Sequence, residues 1–151
     1  MKLNKFFIAC VIPIVLGSPV LAQEQSSKDF SLPQGCEKAG HMAGNMAVME
    51  SMGNMEAMQQ SMGGHMSDAT KGYMRAIVEM HPPMVQGAMA QDPDVAFNCS
   101  MIAHHKGAIA MAKIQLQYGK DDEAKKMAQK TIDEQSKEVD EMTKWVEDHA
   151  K

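Results

Sequence analysis

Two groups of side chains in this chain carry electron pairs suited to soft metal ions. The first runs along residues 41–66, with His41, Met42, Met46, Met49, Met52, Met55, Met58, Met62, His65 and Met66. Each methionine there lies three or four residues from the next, within a near-repeat, GNMAVMESM followed by GNMEAMQQSM. The second group is MIAHHKGAIAMA at 101–112, which holds Met101, His104, His105 and Met111. Met80, His81 and Met84 stand between the two groups, and Met142 follows them. Thioether sulfur is a soft, neutral donor that suits Cu(I), and Ag(I) by similarity, and poorly suits magnesium, calcium or ferric iron. It has no proton to lose, so acid does not weaken it as it weakens cysteine and histidine ligands. Copper is the expected metal, Cu(I) at the sulfurs and Cu(II) at the histidines, with Glu138 or a water completing the latter.

The elements that position these donors read as helices. At about 100° per residue, Met42, Met46 and Met49 share one face, Met52 is rotated off it, and Met55, Met58 and Met62 lie opposite. A core helix needs one stripe; this is a spiral of neighbouring sulfurs. Gly44 and Gly53 inside it each cost about 1 kcal/mol relative to alanine, which argues against a segment chosen for stability. In the second group, His105 continues the row Met101, Ala108, Ala112, and His104 points toward Ala108 and Met111. The competing explanation is methionine as adaptable filler or a promiscuous apolar groove. That explanation makes a chaperone or partner-binding module the alternative to a metal binder.

Helix signals recur down the chain. Ser67 or Asp68 caps a helix through Tyr73, Ile77 and Val78, which Pro82-Pro83 is expected to interrupt, since proline has no N–H to donate. Asp92-Pro93 opens a helix that runs to about Tyr118 and stops at Gly119. Asp121 or Asp122 opens another, with Ala124, Met127, Ala128, Ile132, Gln135, Val139, Met142 and Val146 at core spacing. Valine and isoleucine never alternate with polar residues as strands require. The expected fold is all-α, an antiparallel four-helix bundle with helices near 40–62, 68–90, 92–118 and 121–148.

The first 22 residues read as a secretory signal peptide. Lys2 and Lys5 precede an apolar run from Phe6 to Leu16, Gly17 and Pro19 break it, and cleavage is expected after Ala22. Residues 23–40 read as an irregular lead-in, and 41–151 as the helical bundle, with a methionine-rich part (41–66) and a double-histidine part (70–150). Cleavage takes the formal charge from −4 to −6, an acidic balance that argues against nucleic acid and anionic membranes. No second apolar run is expected to cross a bilayer, so the location is periplasmic or secreted. Cys10 leaves with the leader, and Cys36 and Cys99 remain where disulfides persist. A bridge between them outweighs thiolate metal ligation.

MIAHHKGAIAMA, with Asp94 and Phe97 upstream and EQSKEVDEMTKW at 134–145 downstream, resembles the CopM-type methionine-rich exported copper-binding family. The likeness covers roughly 70–150. It implies a ferritin-like bundle that binds copper or silver in the periplasm. It also implies that Met101, His104, His105 and Met111, with Gln135, Glu138 and Met142, occupy the motif positions. Many relatives have proline where this chain has Ala103. A ferritin-like di-iron centre is excluded, because it needs Glu-x-x-His pairs and none occurs. The expectation is a copper-binding protein, not an enzyme, with metal ions and a copper-transfer protein as partners. A copper-dependent redox enzyme would need an open coupled site and a substrate pocket, which the sequence does not display.

Overall fold

The computed structural model describes residues 29–39 and 66–150. Among them are four helices: α1 (Gln34–Ala39), α2 (Asp68–Ala88), α3 (Pro93–Tyr118) and α4 (Asp122–His149). No strand is present among the described residues. The chain is an all-α bundle packed helix against helix. The helix expected near 40–62 lies outside the described residues.

The three long helices start where their capping residues allow. Ser67 Oγ accepts from the Thr70 amide at 3.1 Å. Asp92 Oδ1 accepts from Asp94 and Val95 at 2.8 and 3.2 Å, with Pro93 opening the first turn. Asp121 Oδ1 accepts from Ala124 at 2.7 Å. Each such cap satisfies an amide that the helix itself leaves unpaired. α3 ends at Gly119 as expected, but the glycine is extended (φ −64°, ψ 150°) rather than left-handed. What requires glycine there is space, since a Cβ would strike the Gln115 carbonyl and side chain.

Pro82 and Pro83 do not interrupt α2, contrary to the sequence expectation; the helix runs through both to Ala88. Packing explains the difference. α2 lies along the length of α3, and tertiary contacts on both sides of the pair offset the backbone bonds that the prolines forgo. Both prolines border the crevice lined by Phe30, Leu32 and Gln86, beside the N-terminal segment.

α3 is the central member. It packs extensively against α2 on one side and α4 on the other. Cys99, Ile102, Ala103, His105, Gly107 and Ala112 are therefore buried around much of its circumference. Constant residue sums give the antiparallel register. Gly87 meets Cys99 and Ser100, Met80 meets Gly107, and Ile114 meets Gly72 between α2 and α3. Between α3 and α4, His105 meets Glu138. Residues 29–39 run along this row from about its middle, where Lys106 Nζ meets the Ser31 carbonyl, to the disulfide end. Phe30, Leu32 and Cys36 are buried, Gly35 sits against Val146 and Ala150, and Cys36 is disulfide-bonded to Cys99. The lead-in is thus part of the core over these residues rather than irregular throughout. Met127, placed at core spacing by sequence, is 60% exposed. It lies roughly 100° round α4 from the buried Ala128, at the edge of the stripe.

Candidate metal centre

The donors of the second group are carried by α3, and the helix sorts its two adjacent histidines by direction. Neighbours on a helix diverge by about 100°. His104 is exposed, whereas His105 is only 7% exposed and lies toward α4. Their rings meet edge to face, with centroids 5.8 Å apart. His105 Nε2 lies 2.6 Å from Glu138 Oε2, within hydrogen-bond distance of a carboxylate that is more than half exposed. His105 Nδ1 is buried and has no hydrogen-bond partner, and Gln135 Oε1 shares that condition.

The thioethers of the described residues are spread over all three long helices. The antiparallel register that pairs residue 105 with 138 sets Met101 opposite Met142, one turn toward the disulfide end. It sets Ala108 opposite Gln135, one turn the other way. Met84 and Met142, from α2 and α4, both pack on the core cluster that contains Cys99 and Ile102. Met80 places its side chain on Gly107, where any Cβ would collide with it. Met101, Met111 and His81 are half-buried, as is Met66 just before the α2 cap. His41, Met42, Met46, Met49, Met52, Met55, Met58, Met62 and His65 lie outside the described residues.

No three histidine, cysteine, aspartate or glutamate side chains converge as a metal-binding group among the described residues. Two buried polar atoms have no protein partner, His105 Nδ1 and Gln135 Oε1, and the soft donors on this stretch of α3 are that imidazole nitrogen and the thioether of Met101, one turn back. That set fits a soft monovalent ion and does not resemble a hard-cation cage. Both cysteine sulfurs of the described residues are spent on the disulfide, so thiolate ligation by Cys36 or Cys99 is ruled out in this state.

The family described as domain of unknown function DUF305 matches residues 20–146. The chain is a DUF305 protein. No curated protein matches it. The DUF305 match spans the lead-in, the methionine-rich stretch, α2, α3 and all but the last turn of α4, so the two donor groups belong to one family unit.

The sequence offers Glu138 as a Cu(II) ligand beside the histidines and, through the family resemblance, as a motif position. The structure gives it a different part, as the acceptor that holds His105. The signal was present in the hairpin. A turn centred near residue 120 folds α4 back on α3, so position 105 must face the region of 135–138.

Proposed function

We propose that this DUF305 protein is an exported copper-binding protein of the CopM type, not an enzyme. It sequesters, buffers or transfers Cu(I), with Ag(I) as a mimic and Cu(II) at the histidines. The observation that carries this reading is the donor set. Methionines recur every three or four residues over 42–66, and the described bundle adds a buried imidazole with an unpartnered nitrogen, one helical turn after Met101 on α3. Labile thioether sites allow exchange with a copper-transfer partner, which a closed cage of anionic ligands resists. The Cys36–Cys99 disulfide suits an oxidising compartment and supports a periplasmic or secreted location after removal of residues 1–22. No helix among the described residues is long and apolar enough to cross a membrane.

Titration of the processed chain with Cu(I), in competition with a chromogenic chelator, tests the reading. Saturable binding of more than one ion is expected. Replacing the methionines of 41–66 lowers the stoichiometry, and replacing His104 and His105 abolishes a separate Cu(II) site. A folded chain that takes up no Cu(I) at micromolar concentration refutes it. The second reading is a metal-free partner-binding or chaperone module, favoured by the exposure of Phe97 (62%) and Met127 (60%). It predicts peptide binding without metal and indifference to the histidine replacements.

A further inference from the structure

We infer that His105 takes the metal through Nδ1, from inside the α3–α4 seam, and that Glu138 is the positioning residue that makes this nitrogen the ligand. The inference rests on the soft-metal reading above and adds to it the ligand atom and the group that selects it.

A neutral imidazole has one N–H and one lone pair, and its surroundings decide which nitrogen carries which. At His105 the outer nitrogen, Nε2, lies 2.6 Å from Glu138 Oε2. A proton on Nε2 makes that contact a charge-assisted hydrogen bond. A proton on Nδ1 instead would set two lone pairs against each other at 2.6 Å and would bury an N–H with no acceptor. The Nε2–H tautomer is therefore selected, and the lone pair of Nδ1 faces the interior.

Helical histidines commonly spend Nδ1 on the carbonyl one turn back. His149 does so, 2.8 Å from the Trp145 carbonyl. His105 does not, although its residue is 7% exposed and its Nδ1 is buried. The lone pair is thus withheld from both solvent and backbone. Met101 precedes it by one turn on α3, and Met142 of α4 packs on the core cluster that holds Cys99 and Ile102 of α3. Imidazole with thioether is a donor combination for Cu(I) and Ag(I). A carboxylate on the far ring nitrogen fixes the orientation of a metal-bound histidine and raises its basicity.

The test is long-range proton–nitrogen NMR of the ¹⁵N-labelled processed chain, with and without Ag(I). The metal-free protein is expected to show His105 as the Nε2–H tautomer. Ag(I) is expected to move the Nδ1 resonance and couple to it while Nε2 keeps its proton. Glu138→Gln keeps an acceptor and should retain Nδ1 ligation with reduced affinity. Glu138→Leu should mix the tautomers and weaken this one site roughly ten- to a hundredfold, leaving the remaining silver sites unchanged. A purely structural role for Glu138 would lower the melting temperature and leave the ligating nitrogen and its affinity as they were.

Silver uptake with Nδ1 unmoved, or with Nε2 as the ligand, overturns the inference and leaves the soft-metal reading standing. Silver uptake with Nδ1 bound in wild type and unaffected in both variants overturns the part given to Glu138. No silver uptake at all overturns both.

Discussion

His104 and His105 are chemically identical and adjacent, yet the helix makes one a surface residue and the other a core residue. Their replacements should differ accordingly. His104→Ala is expected to change unfolding free energy by no more than about 0.5 kcal/mol. His105→Ala empties part of the α3–α4 seam and should cost about 2 kcal/mol, within the range for large-to-small core changes. Chemical denaturation of the metal-free protein measures both. Lys106, the next residue, donates from Nζ to the Ser31 carbonyl at 2.6 Å. Burial of the ammonium holds its pKa below the usual lysine value of 10.5, against the opposing pull of Asp29. A lysine depressed in the folded state binds fewer protons there than in the unfolded state between the two pKa values. Stability therefore rises with pH across that window, as the penalty for burying the charge is lifted. Thermal melts of wild type and Lys106→Met should show the wild type gaining on the variant as the pH rises toward 10.5.

At the scale of elements, α2 and α3 approach closely because glycine stands where side chains would collide. A Cβ on Gly87 would lie 2.6 Å from the backbone of Cys99 and Ser100, and backbone cannot rotate away. Gly87→Ala should destabilise the protein by about 2–3 kcal/mol, the upper part of the range of about 1–3 kcal/mol for overpacking, read as a lowered denaturation midpoint at unchanged m-value. At Gly107 the obstacle is the Met80 side chain, which can move. Gly107→Ala should cost less in stability, and in the metal-bound protein it should displace one candidate sulfur. The helix starts were readable from Ser67, Asp92 and Asp121, because caps act locally. The passage of α2 through Pro82 and Pro83 was not readable, because the packing that offsets the lost bonds comes from partners remote in sequence. Met127 was misplaced for a related reason. Spacing assigns a stripe, but the neighbouring helix decides how wide a stripe is covered.

At the scale of the molecule, the Cys36–Cys99 bridge closes a loop across a separation of 63 residues. The closed loop contains the whole methionine-rich segment and α2. On loop-closure entropy alone, such a bridge stabilises by about 4 kcal/mol. Reduction, or a paired Cys36→Ser and Cys99→Ser change, should lower the denaturation midpoint by a corresponding amount. It should also loosen residues 29–39 first, detectable as faster amide exchange at Leu32 and Cys36. That segment holds on through Phe30, Leu32, the Lys106–Ser31 hydrogen bond and Cys36, with the bridge as its covalent anchor.

The sequence by itself determined the class of fold, the ends of the long helices and the kind of chemistry on offer. Periodicity, capping and donor softness are properties of residues and their near neighbours, and they survive without knowledge of the rest of the chain. It did not determine which histidine is buried, which of its nitrogens is left free, or that Glu138 is the group that frees it. Nor did it reveal that α3 is wrapped from two sides and that Phe30, Leu32 and Cys36 complete its core. Those outcomes follow from which helix faces which. That is settled by contacts between residues tens of positions apart, where small differences in register change what each side chain meets.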